Sequence, residues 1–421
     1  MVHVHLASHH HDVERHSAPT HDSSGILNLP GPTLNTSRSP KGSSNKTEGR
    51  TTALGKGCFH NHLSHHILVA YDLGASSALL EKVYEAEAKD ETADILSFGR
   101  QDGEVLVTPE EITTKTWTDY LGNDKAYAAL LTFFESQALE QFVFSPAAND
   151  NGAKMLVRFV DGVLHPLIQT GYGVEFGSDV MVAQAYDSDI MHPVMPYDPN
   201  AFITARYAAA CTPERVAEIR RLSALWQVDA SSLIAIDEKV EELIWTTTLL
   251  LVGSGRAGRK PRLDFFLMHF LNASLFVPSL LAAIPSTQSK AALLRALVPA
   301  LLVTLLIRGR PRIDATLAMS YHAVPRPPPV AANGVNPPKP AVRVLYYGAQ
   351  RYGRTPPGGV IGAFDTNGRE THPGMAKLDG SLFVRAAGVV MDTLGWVTHG
   401  QKTGSWDRSA LGWDDAWKNG A

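Results

Sequence analysis

The sequence predicts a mostly α-helical protein, a single large multi-helix domain carrying a metal or substrate site in its helical core, preceded by a disordered arm. Three observations point there. Apolar residues recur at helical spacing through most of the chain, and no sustained strand-helix alternation interrupts them. The 421 residues are 44% hydrophobic, enough apolar side chain for a sizeable core. Only two cysteines are present, so that core has to form without disulfide staples.

Residues 1–50 are rich in Ser, Thr, Gly, Pro, Asn and His, without apolar periodicity, and predict the arm. Seven of the chain's 17 His residues sit in it, the sort of compositional tract that needs no packed site. The helical domain is expected over 51–421. Leu63, Ile67, Ala70 and Tyr71, then Leu79, Leu80 and Val83, give two helices broken at Gly74-Ala75-Ser76. Tyr127 to Phe144 is amphipathic. Further helices are expected over 152–170, 178–187, 213–225, 237–252, 264–283, 289–307 and 377–394. Val324 to Pro340 is Pro-rich and predicts an exposed loop inside the domain. After it, Val342-Arg-Val-Leu-Tyr-Tyr347 predicts a short strand.

Charge and cysteine content exclude some partners. A net charge of −4 gives no general affinity for nucleic acid or an anionic membrane, and favours a neutral small molecule. Cys58 and Cys211 lack the spacing of a redox pair or a thiolate zinc site, which suits a reducing, cytoplasmic setting. The start of the chain lacks the charged flank and apolar stretch of a signal peptide. The longest apolar run, Val298 to Ile307, is about half of what a bilayer crossing needs and predicts a core helix.

Four stretches carry chemistry. In Cys58-Phe-His60-Asn-His62-Leu-Ser-His65-His66, His62 and His66 lie four apart, a spacing that lets two imidazoles on one helix face converge on a metal ion; exposed or hydrogen-bonded His at a helix N-terminus is the competing explanation. His165 sits at the polar break of an apolar segment, in His165-Pro-Leu-Ile-Gln-Thr-Gly-Tyr172-Gly-Val-Glu175-Phe. His269 lies within the very apolar Asp264-Phe-Phe266-Leu-Met-His269, where desolvation favours the neutral, metal-binding imidazole. Either His serves equally well as a satisfied core residue. In Thr371-His372-Pro-Gly-Met-Ala-Lys377, Lys377 is an ordinary first-turn lysine, or, if buried beside a metal, a neutral amine or a carboxylated lysine. Gly253-Ser-Gly255-Arg-Ala-Gly258 matches a dinucleotide fingerprint formally, but follows a helical stretch rather than a strand, so a helix cap and basic loop are expected.

Together, Phe59-His-Asn-His-Leu-Ser-His-His-Ile-Leu-Val-Ala-Tyr-Asp-Leu-Gly-Ala-Ser, Trp117-Thr-Asp-Tyr-Leu-Gly, His165-Pro-Leu-Ile-Gln-Thr-Gly-Tyr-Gly-Val-Glu-Phe and Leu263-Asp-Phe-Phe-Leu-Met-His resemble the questin oxidase-like family. The likeness runs in order from about residue 57 to the closing Gly412-Trp-Asp-Asp-Ala-Trp417. It implies a helical fungal oxidoreductase that opens the central ring of an anthraquinone with O2, described for the family both as an NADPH-using Baeyer-Villiger oxidase and as a non-haem iron oxygenase. The family's His positions carry over to His62, His65 or His66, His165 and His269. His372 and Lys377 stand farther apart than the family pattern has them, which weakens the carry-over to His372 most.

With no well-placed nucleotide fingerprint and a set of His on separate helices, Fe(II) is the favoured cofactor, NADPH the alternative. The expected ligands are drawn from His62, His66, His165, His269 and His372, with Lys377 as a further ligand or base. Trp117, Tyr172 and Phe266 are expected to face the aromatic substrate, and Tyr172 and Glu175 to orient it or move protons. A zinc hydrolase and a non-catalytic helical scaffold are the competing classes.

Overall fold

The computed structural model describes residues 25–27, 29, 62–91, 107–120, 126–135, 143–145, 149, 154–176, 203–322, 339–365, 367–396 and 402–418. The helix expected at 178–187 and nearly all of the Pro-rich loop lie outside them. The chain falls into two compact units, Met1–Met191 with Phe276–Ser289, and His192–Leu275 with Lys290–Ala421. The protein is mostly helical. Among the described residues the only β pairings are isolated bridges, Asp264 with Asp407 and Phe364 with Glu370.

The first unit opens with the expected helical hairpin, α1 (Leu63–Asp72) and α2 (Ser77–Glu91), turned at Gly74 with φ +79°. Helices α3 (Tyr127–Glu135), α4 (Met155–Phe159) and α5 (His165–Phe176) follow. Helices α1 and α5 run parallel with their ends level. His62 meets His165 at the N-terminal ends, His65 bonds Gln169 one turn further on, and Asp72 and Glu175 at the C-terminal ends hold neighbouring residues of one strap. That strap is Gly25–Leu27 with Leu29. Ile26 N–H donates to Glu175, Leu27 N–H to both Asp72 carboxylate oxygens at 3.2 Å, and Leu29 N–H to the Asp72 carbonyl at 3.0 Å. This part of the expected loose arm is therefore tied to the body, because two helix-borne carboxylates accept its backbone N–H groups. Trp117 is buried in a 3-10 turn, its ring edge-on to Phe134 at 5.7 Å.

The second unit holds α6 (Ile203–Ala210), α7 (Pro213–Leu225), α8 (Leu233–Val252), the start of α9 (Phe265–Ala283), most of α10 (Thr287–Ile307), α11 (Ala315–Met319), α12 (Pro340–Tyr352) and α13 (Leu382–Leu394). Caps set several boundaries as sequence rules require. Thr212 accepts from Arg215 N–H with Pro213 in the first turn, and Ser232 accepts from Ala235 N–H. Helix α12 corrects the expected strand at Val342–Tyr347. Pro340 opens the helix, and Ala341, Val344, Leu345 and Gly348 form a buried helical stripe that the local run of β-formers conceals. Gly348 lets Phe383 of α13 approach, since a Cβ there would sit 2.5 Å from its ring. Trp245 of α8 packs on Phe383 from 4.5 Å.

Helices α9 and α10 are each long and apolar enough to cross a membrane by length and composition, and 72% of the apolar stretch of α9 is buried in the protein. Helix α10 extends well beyond the ten-residue run that suggested a core helix, and less than half of its stretch, 44%, is buried.

The Gly253–Gly258 stretch is a helix cap, as expected: Gly253 closes α8, its N–H donating to the Leu249 carbonyl at 2.7 Å. The basic loop that follows has a structural task. Arg256 and Arg262 lie over the Trp417 ring, 5.2 and 4.9 Å from its centroid, and pair with Asp414 and Asp407. Trp417 Nε1–H donates to the Leu411 carbonyl. The C-terminal Gly-Trp-Asp-Asp-Ala-Trp is thus seated on the loop that mimicked a nucleotide fingerprint.

Candidate functional site

Parallel packing of α1 on α5 brings two imidazoles together in the first unit. His62 Nε2 and His165 Nε2 lie 3.1 Å apart, and the rings meet nearly edge to face. His165 Nδ1–H donates to the Gly162 carbonyl at 2.8 Å. A carbonyl can only accept, so the neutral His165 ring keeps its proton on Nδ1 and turns a bare Nε2 toward His62. His62 Nε2–H fills the gap between the rings, where a metal ion would replace that proton.

The backbone ahead of His165 is unusual. Gly162, Val163 and Leu164 have φ of +55°, +57° and +64°, three consecutive left-handed residues between right-handed helices α4 and α5. Glycine tolerates this; Val163 and Leu164 each give up roughly 1–2 kcal/mol. Burial of Leu164, and the bond from Leu164 N–H to the Asp161 carbonyl at 2.9 Å, help hold the turn.

His65, one turn along α1, is buried, bonds Gln169 through Nε2 and stacks on Tyr172, with ring centroids 4.6 Å apart. Tyr172 is also buried, its other neighbour Phe276 at 4.5 Å. Gly171 makes that approach possible, because a Cβ there would stand 2.4 Å from the Phe276 side chain. His66 is half-buried with its ring 6.1 Å from that of His62 and nearly parallel to it. It is His165, on another helix, and not His66 that meets the His62 nitrogen. Glu175 lies ten residues, about 15 Å of helix, beyond His165, and holds Ile26. In this structure the contact seen for Glu175 is with the strap.

In the second unit, His269 is 2% exposed and its Nδ1–H donates to the Phe265 carbonyl at 2.7 Å, leaving Nε2 as the acceptor atom here too. Burial lowers its pKa to about 4; the Phe265 carbonyl opposes the shift and the Arg408 charge adds to it. His269 is therefore a neutral imidazole at physiological pH. Asp264 anchors the start of α9. One oxygen accepts the N–H groups of Phe266 and Leu267, and the other pairs with the buried Arg308 at 2.7 Å. Burial pushes the Asp264 pKa up and the Arg308 charge counters it. The Arg308 guanidinium lies 4.8 Å over the Phe266 ring, so one face expected for substrate is already covered.

His372 and Lys377 are both solvent-exposed in the second unit. The condition for a carboxylated or deprotonated Lys377 was burial, and it is not met. Sequence reasoning missed Gln169, the partner of His65, and the left-handed turn before His165. The first was signalled by its position four residues after His165; the second carries only one glycine and no other turn residue.

A metal fits these donors. In His165 and His269 a carbonyl accepts the Nδ1 proton, so the lone pair is on Nε2, the usual arrangement of a metal-binding His. An all-imidazole set suits iron, copper or zinc.

Comparison with known proteins agrees with the motifs. The sequence model of the questin oxidase-like family matches residues 59–186 and 186–345. The Baeyer-Villiger monooxygenase AacuH of Aspergillus aculeatus is 25% identical over 279 residues, 52% of this chain and 56% of the relative. The oxidoreductase AflY of Aspergillus parasiticus is 26% identical over 270 residues, 53% and 52% of the two chains. A questin oxidase of Aspergillus terreus is 24% identical over 264 residues, 52% and 57%. The chain spans about half the length of these curated relatives. The family match covers more than half of the chain and includes His62, His165 and His269, so this chain belongs to the questin oxidase-like family.

Proposed function

We propose that this protein is an oxidoreductase that uses O2 to cleave the central ring of an anthraquinone, at a non-haem iron site built from His62, His165 and His269. The observation that carries the proposal is the His62–His165 contact, with Nδ1 of His165 engaged by a carbonyl and Nε2 turned to its partner. His269 joins the proposal as a third ligand through the family motif that carries it.

A bound Fe(II) would supply the redox partner that triplet O2 needs to react with a closed-shell aromatic. The chain's own residues do the rest. The low pKa of His269 keeps its donor nitrogen free of a proton through the physiological range. The buried stack of His65, Tyr172 and Phe276 gives α5 a rigid apolar flank that excludes water. Tyr172, expected to touch substrate or move a proton, serves here to lock the His65 ring in place.

Names among the relatives favour an oxygen insertion next to a carbonyl, the Baeyer-Villiger reaction, as the form this oxidation takes. NADPH as reductant belongs to that version. The proposal is tested with untagged protein lacking residues 1–24, which removes the leader's seven His residues and keeps the strap. About one iron per chain and anthraquinone-dependent O2 uptake, both lost in His165→Ala, are expected. Metal-free protein that still turns over anthraquinone with NADPH would remove the iron site and leave the Baeyer-Villiger oxidase.

A further inference from the structure

We propose that the left-handed turn Gly162–Leu164 is a positioning device for His165, which holds the Gly162 carbonyl on Nδ1 and so presents Nε2 as a metal ligand. This rests on the reading of His165 as a ligand and adds what fixes its tautomer and aim.

The argument starts from what a helix offers a histidine. His269, four residues into its helix, uses the carbonyl of residue i−4, Phe265, as its Nδ1 acceptor. His165 is the first residue of α5, so no carbonyl of that helix lies one turn behind it. The Nδ1 acceptor of a histidine at that position has to come from the segment ahead of the helix, toward which its side chain leans. Reversal of handedness at Gly162, Val163 and Leu164 brings the carbonyl of residue i−3 to 2.8 Å from Nδ1. Left-handed conformations occur routinely as single residues, not as runs. A run of three with a β-branched residue at its centre persists only where its surroundings over-determine it, a condition concentrated at functional sites.

Local sequence does not explain the turn. Val163 is half-buried and so is not forced left-handed by packing of its own side chain, and only the first of the three positions is glycine. Leu164 is buried, but a buried leucine can be reached by a right-handed backbone as well. What the turn provides is the Gly162 carbonyl on His165. The bond passes no charge and involves no reacting atom, so Gly162, Val163 and Leu164 act through His165 as positioning residues.

Two substitutions alter the cost of the turn in opposite directions. Gly162→Ala adds a third left-handed penalty, and Val163→Gly removes one. Purified chain lacking residues 1–24 is titrated with Co(II), whose visible spectrum reports its ligands, and the His165 tautomer is read from imidazole 15N shifts. Gly162→Ala should weaken Co(II) binding about fivefold to thirtyfold and move part of the His165 population to the Nε2–H tautomer. Val163→Gly should bind Co(II) at least as tightly as the parent and keep the Nδ1–H tautomer. A purely structural turn would shift thermal stability in both variants and leave Co(II) affinity and tautomer at parental values, which would overturn the proposal. A parent that takes up no Co(II) while its His165 is Nδ1–H refutes the ligand reading instead, and the tautomer shifts still decide the role of the turn. Should Gly162→Ala fail to fold, Gly162→Asn, which bears the left-handed region at a smaller cost, gives the second comparison: weaker Co(II) binding with a gain of Nε2–H supports the proposal, and parental affinity and tautomer with lowered thermal stability overturn it.

Discussion

His62 Nε2 faces His165 Nε2 across 3.1 Å, from the N-terminal ends of two parallel helices. Each ring arrives by a different route, one as the residue before α1 and the other at the end of a left-handed turn. Metal binding should therefore depend on both and on neither of the exposed candidates. His62→Ala and His165→Ala should each lower bound iron by at least about tenfold. His372→Ala and Lys377→Ala should leave it within about twofold, because both side chains are in water. Elemental analysis of the four variants checks this.

His269 predicts how stability falls in acid. Its folded-state pKa is lowered from 6.5 to about 4, so below pH 6.5 the unfolded chain takes up a proton that the folded one refuses. Stability contributed by the neutral ring is complete above pH 6.5, is lost as pH falls toward 4, and changes no further below. The loss amounts to about 3 kcal/mol by linkage. Denaturant unfolding at pH 7 and pH 4.5 should show a fall that His269→Phe lacks in this part.

Gly171 predicts a packing defect with a functional reach. A Cβ there would stand 2.4 Å from Phe276, deep in the first unit. Gly171→Ala should cost roughly 1–3 kcal/mol, read as a lower thermal midpoint. Because Gly171 is on α5 with His165, bound iron should fall in the same variant, and a variant that melts lower but keeps full iron would show that the defect does not reach His165.

The Trp417 seat predicts a stability effect without a metal effect. Trp417→Ala removes two guanidinium contacts and a buried ring, and should cost about 3–5 kcal/mol. Iron content of the folded fraction should stay at the parental value. Arg256→Gln should cost less than about 1 kcal/mol, since its pair with Asp414 is largely exposed.

Much of the fold was legible because helices announce themselves locally. The Leu63–Asp72 and Ser77–Glu91 hairpin, the cap at Gly253 and the helices at 213–225 and 264–283 follow from spacing and terminal residues, which need no knowledge of distant chain. Val342–Tyr347 misled because strand and helix stripes overlap in a short apolar run, and only packing against α13 selects the helical one. His62 and His66 satisfied a spacing rule for one helix, yet the nitrogen that meets His62 comes from 103 residues away.

The sequence by itself determined the helical class, the family and the set of imidazoles from which a site is drawn, since periodicity, motif and residue chemistry are properties of short segments. Tertiary structure alone decided the partnership of His62 with His165, the Nδ1 carbonyls that set the tautomers of His165 and His269, the burial that keeps His269 neutral, and the exposure that removes His372 and Lys377. Those are consequences of distance and desolvation, which arise only when segments far apart in the chain pack together.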